Sequence, residues 1–428
     1  MDKKRVVLVW FRNDLRLHDN EILLEAVQKA DLVIPVYCFD PRYYTTNKYG
    51  GKNTGVVRAQ FIRETVQSFK ESLRSLQGDL MTYWGYPEEI IPRLAAKYDA
   101  DEVYHHREVA QRETKISEKV ESALWQSNRI NLKHFIGHTM YHKEDLPFPV
   151  RDIPDSFPLF KKKIERESQV RPVLPAIDQI LIPAHLETTE IPDLAELGFS
   201  EQEIASTTQK QLIGGEKHGL ENLDLILNDS YKGFHDFTLL SPYMATGALS
   251  PILVYHRMHA AMTPTNKKRL ERRTARLLWR DYFRFMLKKY PNVYFKPLGH
   301  QGTPPAETPA VMDEDQKNNW KSGNTGQPFI DEAIQILTNT GNLPSEARTI
   351  LGLYLLQETP NSWLESASFF EEHLLDYSPA TTYGIWAHLA GVGTSKKDNL
   401  STTRWQDALS KQYPKGLQFE KLSGEIPM

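Results

Sequence analysis

The chain has 428 residues, 40% hydrophobic and 25% charged, with a formal net charge of −3; this is room for two or three domains with a large core, and no global charge selects nucleic acid or an anionic membrane. A single cysteine, Cys38, excludes intrachain disulfides and any cysteine-based zinc site, and within the apolar run LVIPVYCF it reads as a packed core thiol. No apolar run approaches the length of a membrane span and Met1-Asp-Lys-Lys-Arg leads straight into a strand without a signal-peptide core, so cytoplasmic residence is expected.

From Val6 to Gly137 short β-branched runs alternate with amphipathic helical ones. VVLVW, EILLEAVQKA, LVIPVYCF, a long helix from about Val56 to Leu76, DLMTYWG, PEEIIPRLAAKY, DEVYHH, a charged helix around Lys115 to Leu124 and INLKHFIG follow in turn. Apolar strands alternating with helices predict an α/β domain over residues 1–140, with a parallel sheet covered on both faces. WFRNDLRLHDN, Trp10 to Asn20, follows the first strand without a glycine-rich phosphate fingerprint, which argues against a Rossmann dinucleotide site. Its Arg12, Asp14, Arg16, Asp19 and Asn20 read as a charged crossover whose ion pairs fix one domain against the next. His105 and His106 are neighbours on a strand and so face opposite ways, which makes them a poor metal pair. Residues 141–197 are proline-rich with one short helical run, PLFKKKIERE, and read as an interdomain connector. Residues 198–428 are helical in pattern, an all-α domain.

Within that domain a helix is expected around Glu216 to Leu227. After it, in NDSYKGFHDFTLLSPYMATGALSP, Thr238, Ser241, Thr246, Gly247 and a helix starting after Pro251 supply hydroxyls and free amides of the kind that hold a pyrophosphate; hydroxyl-rich turns also occur without a ligand. Arg269, Arg273, Arg276, Arg280 and Arg284 fall along one face of a single helix, beside an apolar stripe of Trp279, Phe283 and Met286. Such a face suits phosphates and base stacking, and is equally the solvated side of an ordinary helix. A Pro/Gly-rich loop from Gly299 to Glu314 is expected to line or cover a pocket. Leu374 to Gly393, LLDYSPATTYGIWAHLAGVG, reads as a pocket wall in which Pro379 and Gly384 break regular structure before the helix-like IWAHLA that carries Trp386. Arg348 is the cation expected to meet Asp376, since a carboxylate drawn into apolar surroundings must find a cation or take a proton. An interhelical salt bridge serving structure alone is the other reading of that pair.

WFRNDLRLHDN resembles, nearly letter for letter, the opening signature of photolyases and cryptochromes. VYCFDPRYY, the TG-x-x-RAQF run at Thr54 to Phe61, the connector phrases LPFP, PDSFPLFKK and VRPVLP, then TLLSPYMATGALSP, LLWRDYFRF at 277–285 and NNWKSGNTGQPFIDEAIQILTNTG extend the likeness over almost the whole chain. The connector phrases are most similar to the DASH-type cryptochromes. The resemblance implies FAD in the helical domain, with Tyr231, Thr238, Leu239, Ser241, Arg280, Arg348, Asp376, Ser378 and Thr382 at the cofactor, Trp386 and Trp363 as electron-transfer steps, and Trp279 and Arg276 toward substrate. It implies a second chromophore, 5,10-methenyltetrahydrofolate, with Glu108 and Glu113 as candidates to grip its ring. The implied activity is a deoxyribodipyrimidine photolyase-like lyase: blue light drives an electron from reduced FAD into a cyclobutane pyrimidine dimer. The implied partner is DNA, single-stranded or dimer-containing, bound by a monomer through the arginine stripe.

Several positions depart from the family pattern. Ser345 and Thr382 stand where Asn is usual, Ser378 where Asp is usual, Arg276 where the dimer-contacting Glu is usual, Gln327 for Tyr, Leu239 for a polar or basic residue, and Ala310 at the third electron-transfer Trp. These departures leave open a non-repairing light or redox sensor with the same fold, and a flavin-free nucleic-acid-binding scaffold.

Overall fold

The computed structural model describes residues 3–205, 212–228, 236–300, 314–360, 362–395 and 400–413. Strands β1 (Val6–Phe11), β2 (Leu32–Phe39), β3 (Met81–Trp84), β4 (Glu102–His106) and β5 (Leu132–Phe135) form one parallel sheet in the order β3-β2-β1-β4-β5. Helices α1 (Glu21–Lys29), α2 (Val56–Ser75), α3 (Pro87–Lys97) and α4 (Gln111–Asn128) make the crossovers. Along β1, Val7, Val9 and Phe11 enter one core while Val6, Leu8 and Trp10 enter the other, the period of two expected where helices cover both faces. The chain leaves β3 at one edge and re-enters beside β1 as β4, so the carboxyl ends of β1 and β4 splay apart at the topological switch point. Helix α4 is longer than its sequence suggests, because its first turn is polar and charged and its last turn, after Leu124, is mostly polar without an apolar period.

The connector covers the open side of the sheet. Val33 N donates to Leu181 O at 2.8 Å and Thr82 N to Thr189 Oγ1 at 2.7 Å, which pairs strand groups that an edge would otherwise leave bare. Within it lies α5 (Phe157–Glu167). The second domain is helical: α6 (Glu201–Ala205), α7 (Glu216–Leu227), α8 (Ser241–Ala245), α9 (Pro251–Ala260), α10 (Lys267–Lys289), α11 (Glu314–Lys321), α12 (Pro328–Thr340), α13 (Ser345–Glu358), α14 (Trp363–His373), α15 (Pro379–Leu389) and α16 (Trp405–Gln412).

Segment Trp10–Asn20 locks the two domains together. Arg16 Nη1 donates to Gly247 O at 3.0 Å, Leu17 N to Glu216 Oε2 at 2.8 Å, and Ser250 Oγ to Asp19 Oδ2. Gly247 has φ +72°, and a Cβ there would lie 1.7 Å from Asn13 O, so only glycine lets the domains approach this closely. Helix α15 runs unbroken where Pro379 and Gly384 were expected to break it. Pro379 occupies the first helical turn, where a missing N–H costs nothing, and a Cβ on Gly384 would meet Phe283 at 2.3 Å, so this glycine admits a neighbouring ring.

Candidate functional site

Three elements bring the flavin candidates together. Asp376, in the turn between α14 and α15, accepts from Arg348 Nη1 at 2.9 Å on both carboxylate oxygens, and from Ser241 Oγ of α8 at 2.6 Å. Arg348 also donates Nε–H to Leu343 O, while its Nη2 is buried with no hydrogen-bond partner. A buried guanidinium N–H left open is costly, and an acceptor on a bound ligand would satisfy it. Ser378 caps α15 and its N–H reaches Thr382 Oγ1 at 3.4 Å. One turn on, Ile385 is 41% exposed, so this stretch of α15 is not sealed by protein. The orphaned donor, the carboxylate–hydroxyl cluster and the open aliphatic surface fit FAD, with Arg348, Asp376, Ser241, Ser378 and Thr382 as the residues to hold it. Thr238 and Leu239 lie just upstream in the turn Asp236–Leu239. Tyr231 lies outside the described residues, as do Ala310 and most of the Gly299–Glu314 loop.

Trp386 is buried on α15, 5.1 Å edge-on to Phe370. Trp363 opens α14 and donates Nε1–H to Pro297 O at 2.9 Å. Trp279 has one face stacked on Phe157 at 3.6 Å and lies against Tyr282 and Phe283 on its other sides. Arg276 donates to Ser345 Oγ at 3.1 Å and to Glu346 Oε1 at 2.6 Å, tying α10 to the start of α13. Glu346 went unnoticed in the sequence: it holds a first-turn position where acids are common, and no periodicity singles it out.

The arginine stripe does not form a continuous surface. The spacing does place these residues on one face of α10, but two of the five are buried and the other three only partly exposed. Arg273 is buried and donates to Ile226 O at 2.8 Å; Arg284 is buried against Glu108 at 2.8 Å. Arg280, expected at the flavin, donates to the carbonyls of His138 and Met244, and burial beside Arg284 lowers its pKa to about 10. Arg269 is half-buried. A carbonyl-rich interdomain seam takes up the guanidinium donors, a demand that sequence spacing cannot reveal. The seam also holds Asp281, fully buried, which accepts from Met140 N at 3.1 Å and Tyr141 N at 2.9 Å; burial raises its pKa to about 7.

The two antenna candidates separate. Glu108 is committed to Arg284, to Asn13 Nδ2 at 3.0 Å and to His138 at 3.3 Å; although burial opposes it, His138 and Arg284 hold its carboxyl well below the usual range. Burial raises Glu113, whose Oε2 has no partner. Glu113 lines a cavity of about 130 Å³ at the carboxyl ends of β1 and β2, with Arg12, Tyr43, Asn53 and Arg58. A larger groove, about 420 Å³, lies between the domains past β4 and β5, with Arg107, Lys115, Lys143 and Lys288 around it. His105 and His106 point to opposite faces, toward Trp10 and toward Asp14. No helix among the described residues is long and apolar enough to cross a membrane.

Comparison with known proteins agrees with this geometry. Residues 7–179 match the DNA photolyase family and residues 273–415 the FAD binding domain of DNA photolyase. The chain is 33% identical over 410 residues to the cryptochrome DASH of Gloeobacter violaceus, covering 92% of this chain and 80% of that one. It is 34% identical to the cryptochrome DASH of Natronomonas pharaonis, with 93% and 86% covered. The crystal structure of the Synechocystis sp. cryptochrome superposes with a TM-score of 0.87 at 30% identity, covering 99% of this chain and 89% of that one. An archaeal photolyase from Sulfolobus tokodaii, solved with two FAD molecules, shares the fold at TM-score 0.76 and 21% identity. The chain belongs to the photolyase and cryptochrome family, as a DASH-type flavoprotein with an α/β first domain and a helical FAD-binding second domain.

Proposed function

We propose that this flavoprotein is a light or redox sensor whose electron transfer is uncoupled from DNA repair. Arg276 carries the reading. Where the family resemblance implies an acid facing the flipped bases, a permanent cation stands, already bonded to Glu346 and Ser345 at the start of α13. Two further observations support it: Phe157 takes the Trp279 face on which a base would stack, and two of the stripe arginines expected on DNA phosphates, Arg273 and Arg284, are spent on the interior.

FAD, when bound, supplies a blue-light-absorbing redox centre. The protein's own part is to hold and feed it. Arg348, fixed by Asp376 and Leu343, offers its remaining N–H; Ser241 steadies Asp376; Thr382 presents a hydroxyl in place of an amide, a weaker partner for a reduced ring nitrogen. Trp386 and Trp363 are the electron-transfer side chains. The cations around the larger groove suit the anionic tail of a folate, which keeps 5,10-methenyltetrahydrofolate as the candidate second chromophore.

The second reading is dimer repair, since members of the family typically act on DNA and Trp279 keeps part of its edge exposed. Illuminating the reduced, FAD-loaded protein with single-stranded DNA carrying one cyclobutane dimer separates the two. The sensor reading expects the dimer to persist while the oxidised protein is photoreduced by blue light. Disappearance of the dimer would return the protein to the repair class.

A further inference from the structure

We propose that Tyr383, backed by the Glu371 carboxylate, is the terminal electron donor of this protein's light-driven chain, passing an electron to oxidised Trp386 and its phenolic proton to Glu371. The proposal rests on the flavin electron-transfer reading above and names the group that completes it.

Tyr383 stands three residues before Trp386 on α15, a spacing that sets side chains side by side, about 5–6 Å apart at Cβ. Its ring lies 4.8 Å from Phe295, two residues before Pro297, whose carbonyl holds the Trp363 indole. The phenol thus shares a helix with Trp386 and packs on the segment that leads to Pro297. Its hydroxyl donates to Glu371 Oε2 at 2.5 Å, and both residues are buried. That length belongs to a charge-assisted O–H···O⁻ bond. Arg112, half-exposed, lies 3.7 Å from the other carboxylate oxygen. Burial and the Glu371 charge together push the Tyr383 phenol far up, so the resting group keeps its proton.

A phenol that loses an electron becomes a strong acid, and it is a practical donor only where a base stands ready for the proton. Buried Tyr243, by contrast, donates to the carbonyl of Ile213, which does not take up a proton. Tyr383 has the base in contact. The step balances: Trp386 gives one electron to the photoexcited flavin, Tyr383 returns one to Trp386, the O–H bond breaks and its proton moves to Glu371. Neutral Trp386, a tyrosyl radical and a protonated Glu371 remain. With Ala310 standing where a third tryptophan is usual, this pair supplies the missing last donor.

The test compares wild type, Tyr383→Phe and Glu371→Gln by laser-flash absorption and EPR in H2O and D2O. One arm uses the FAD-loaded protein; the other uses flavin-free protein oxidised by flash-generated ruthenium(III) tris-bipyridyl. A tyrosyl signal is expected in wild type and is lost in Tyr383→Phe. Its formation slows in D2O and by about 10²-fold or more in Glu371→Gln, the scale of a removed general base, while Trp386 oxidation is unchanged. Glu371→Gln keeps the hydrogen bond and the volume, so it decides the matter even if Tyr383→Phe fails to fold. An undiminished radical in Tyr383→Phe, or an unchanged rate in Glu371→Gln, overturns the proposal. Absence of Trp386 oxidation in the FAD-loaded arm sinks the light-driven reading instead, and the ruthenium arm still decides whether Tyr383 and Glu371 act as a redox pair.

Discussion

Arg348 is committed on two of its three donor groups and open on the third, which makes it the residue on which the flavin site turns. Arg348→Ala would leave the half-buried Asp376 with only the Ser241 hydroxyl, a loss of about 2 kcal/mol for breaking a partly enclosed pair. Urea unfolding should show that loss, and the purified variant should carry little or no flavin absorbance. Asp281 gives a pH signature of opposite character. Its folded pKa, about 7, lies above the ordinary carboxylate value of about 3.9. Between those values the folded chain keeps a proton that the unfolded chain releases, so stability falls as pH rises, by up to about 1.4 kcal/mol per pH unit. Below the window the carboxyl is neutral in both states, and above it the penalty is constant. Asp281→Asn should flatten the denaturation profile between pH 4 and 7 relative to wild type. The sequence made the Arg348–Asp376 pair legible, because two opposite charges in apolar segments have few other ways to be satisfied. It could not show Asp281, whose partners are backbone amides at the junction of the first domain and the connector.

Helix α10 shows how far element-level reasoning reaches. A period near 3.6 correctly puts its five arginines on one side, yet periodicity has no sign: a cationic face can meet water or a wall of carbonyls and carboxylates. Here Arg284 holds Glu108 and Arg273 holds Ile226 O. Arg284→Ala should therefore cost about 3 kcal/mol by stranding a buried carboxylate, whereas Arg272→Ala, on the exposed face, should cost less than about 0.5 kcal/mol. Equal losses in thermal or urea unfolding would contradict the inward placement. Helix α15 teaches the same lesson from the other side. Proline and glycine read as breakers, but Pro379 sits in the opening turn and Gly384 makes room for Phe283, a neighbour that lies far away in sequence.

The whole molecule depends on the close approach of its two domains along Trp10–Asn20. Gly247→Ala would drive a methyl group into Asn13 O from a left-handed backbone conformation and should cost more than about 4 kcal/mol. Calorimetry would register a split or strongly lowered transition, and limited proteolysis would cut the connector faster. The site inherits this rigidity. Arg280, Arg284 and Asp281 tie α10 to the first domain, and the same helix bonds the start of α13 through Arg276.

By itself the sequence determined the strand and helix alternation, the covered parallel sheet, the connector, the helical second domain and the pairing of Arg348 with Asp376. Those features follow from periodicity, turn chemistry and the cost of burying a lone charge, all of which act within a segment or through an unavoidable partner. Only the tertiary structure decided that Arg273 and Arg284 of the arginine stripe are buried, that Arg276 bonds Glu346, that Phe157 occupies the Trp279 face and that Tyr383 rests on Glu371. Each of those depends on which distant segment arrives opposite a side chain, and that is set by the packing of the two domains as a whole.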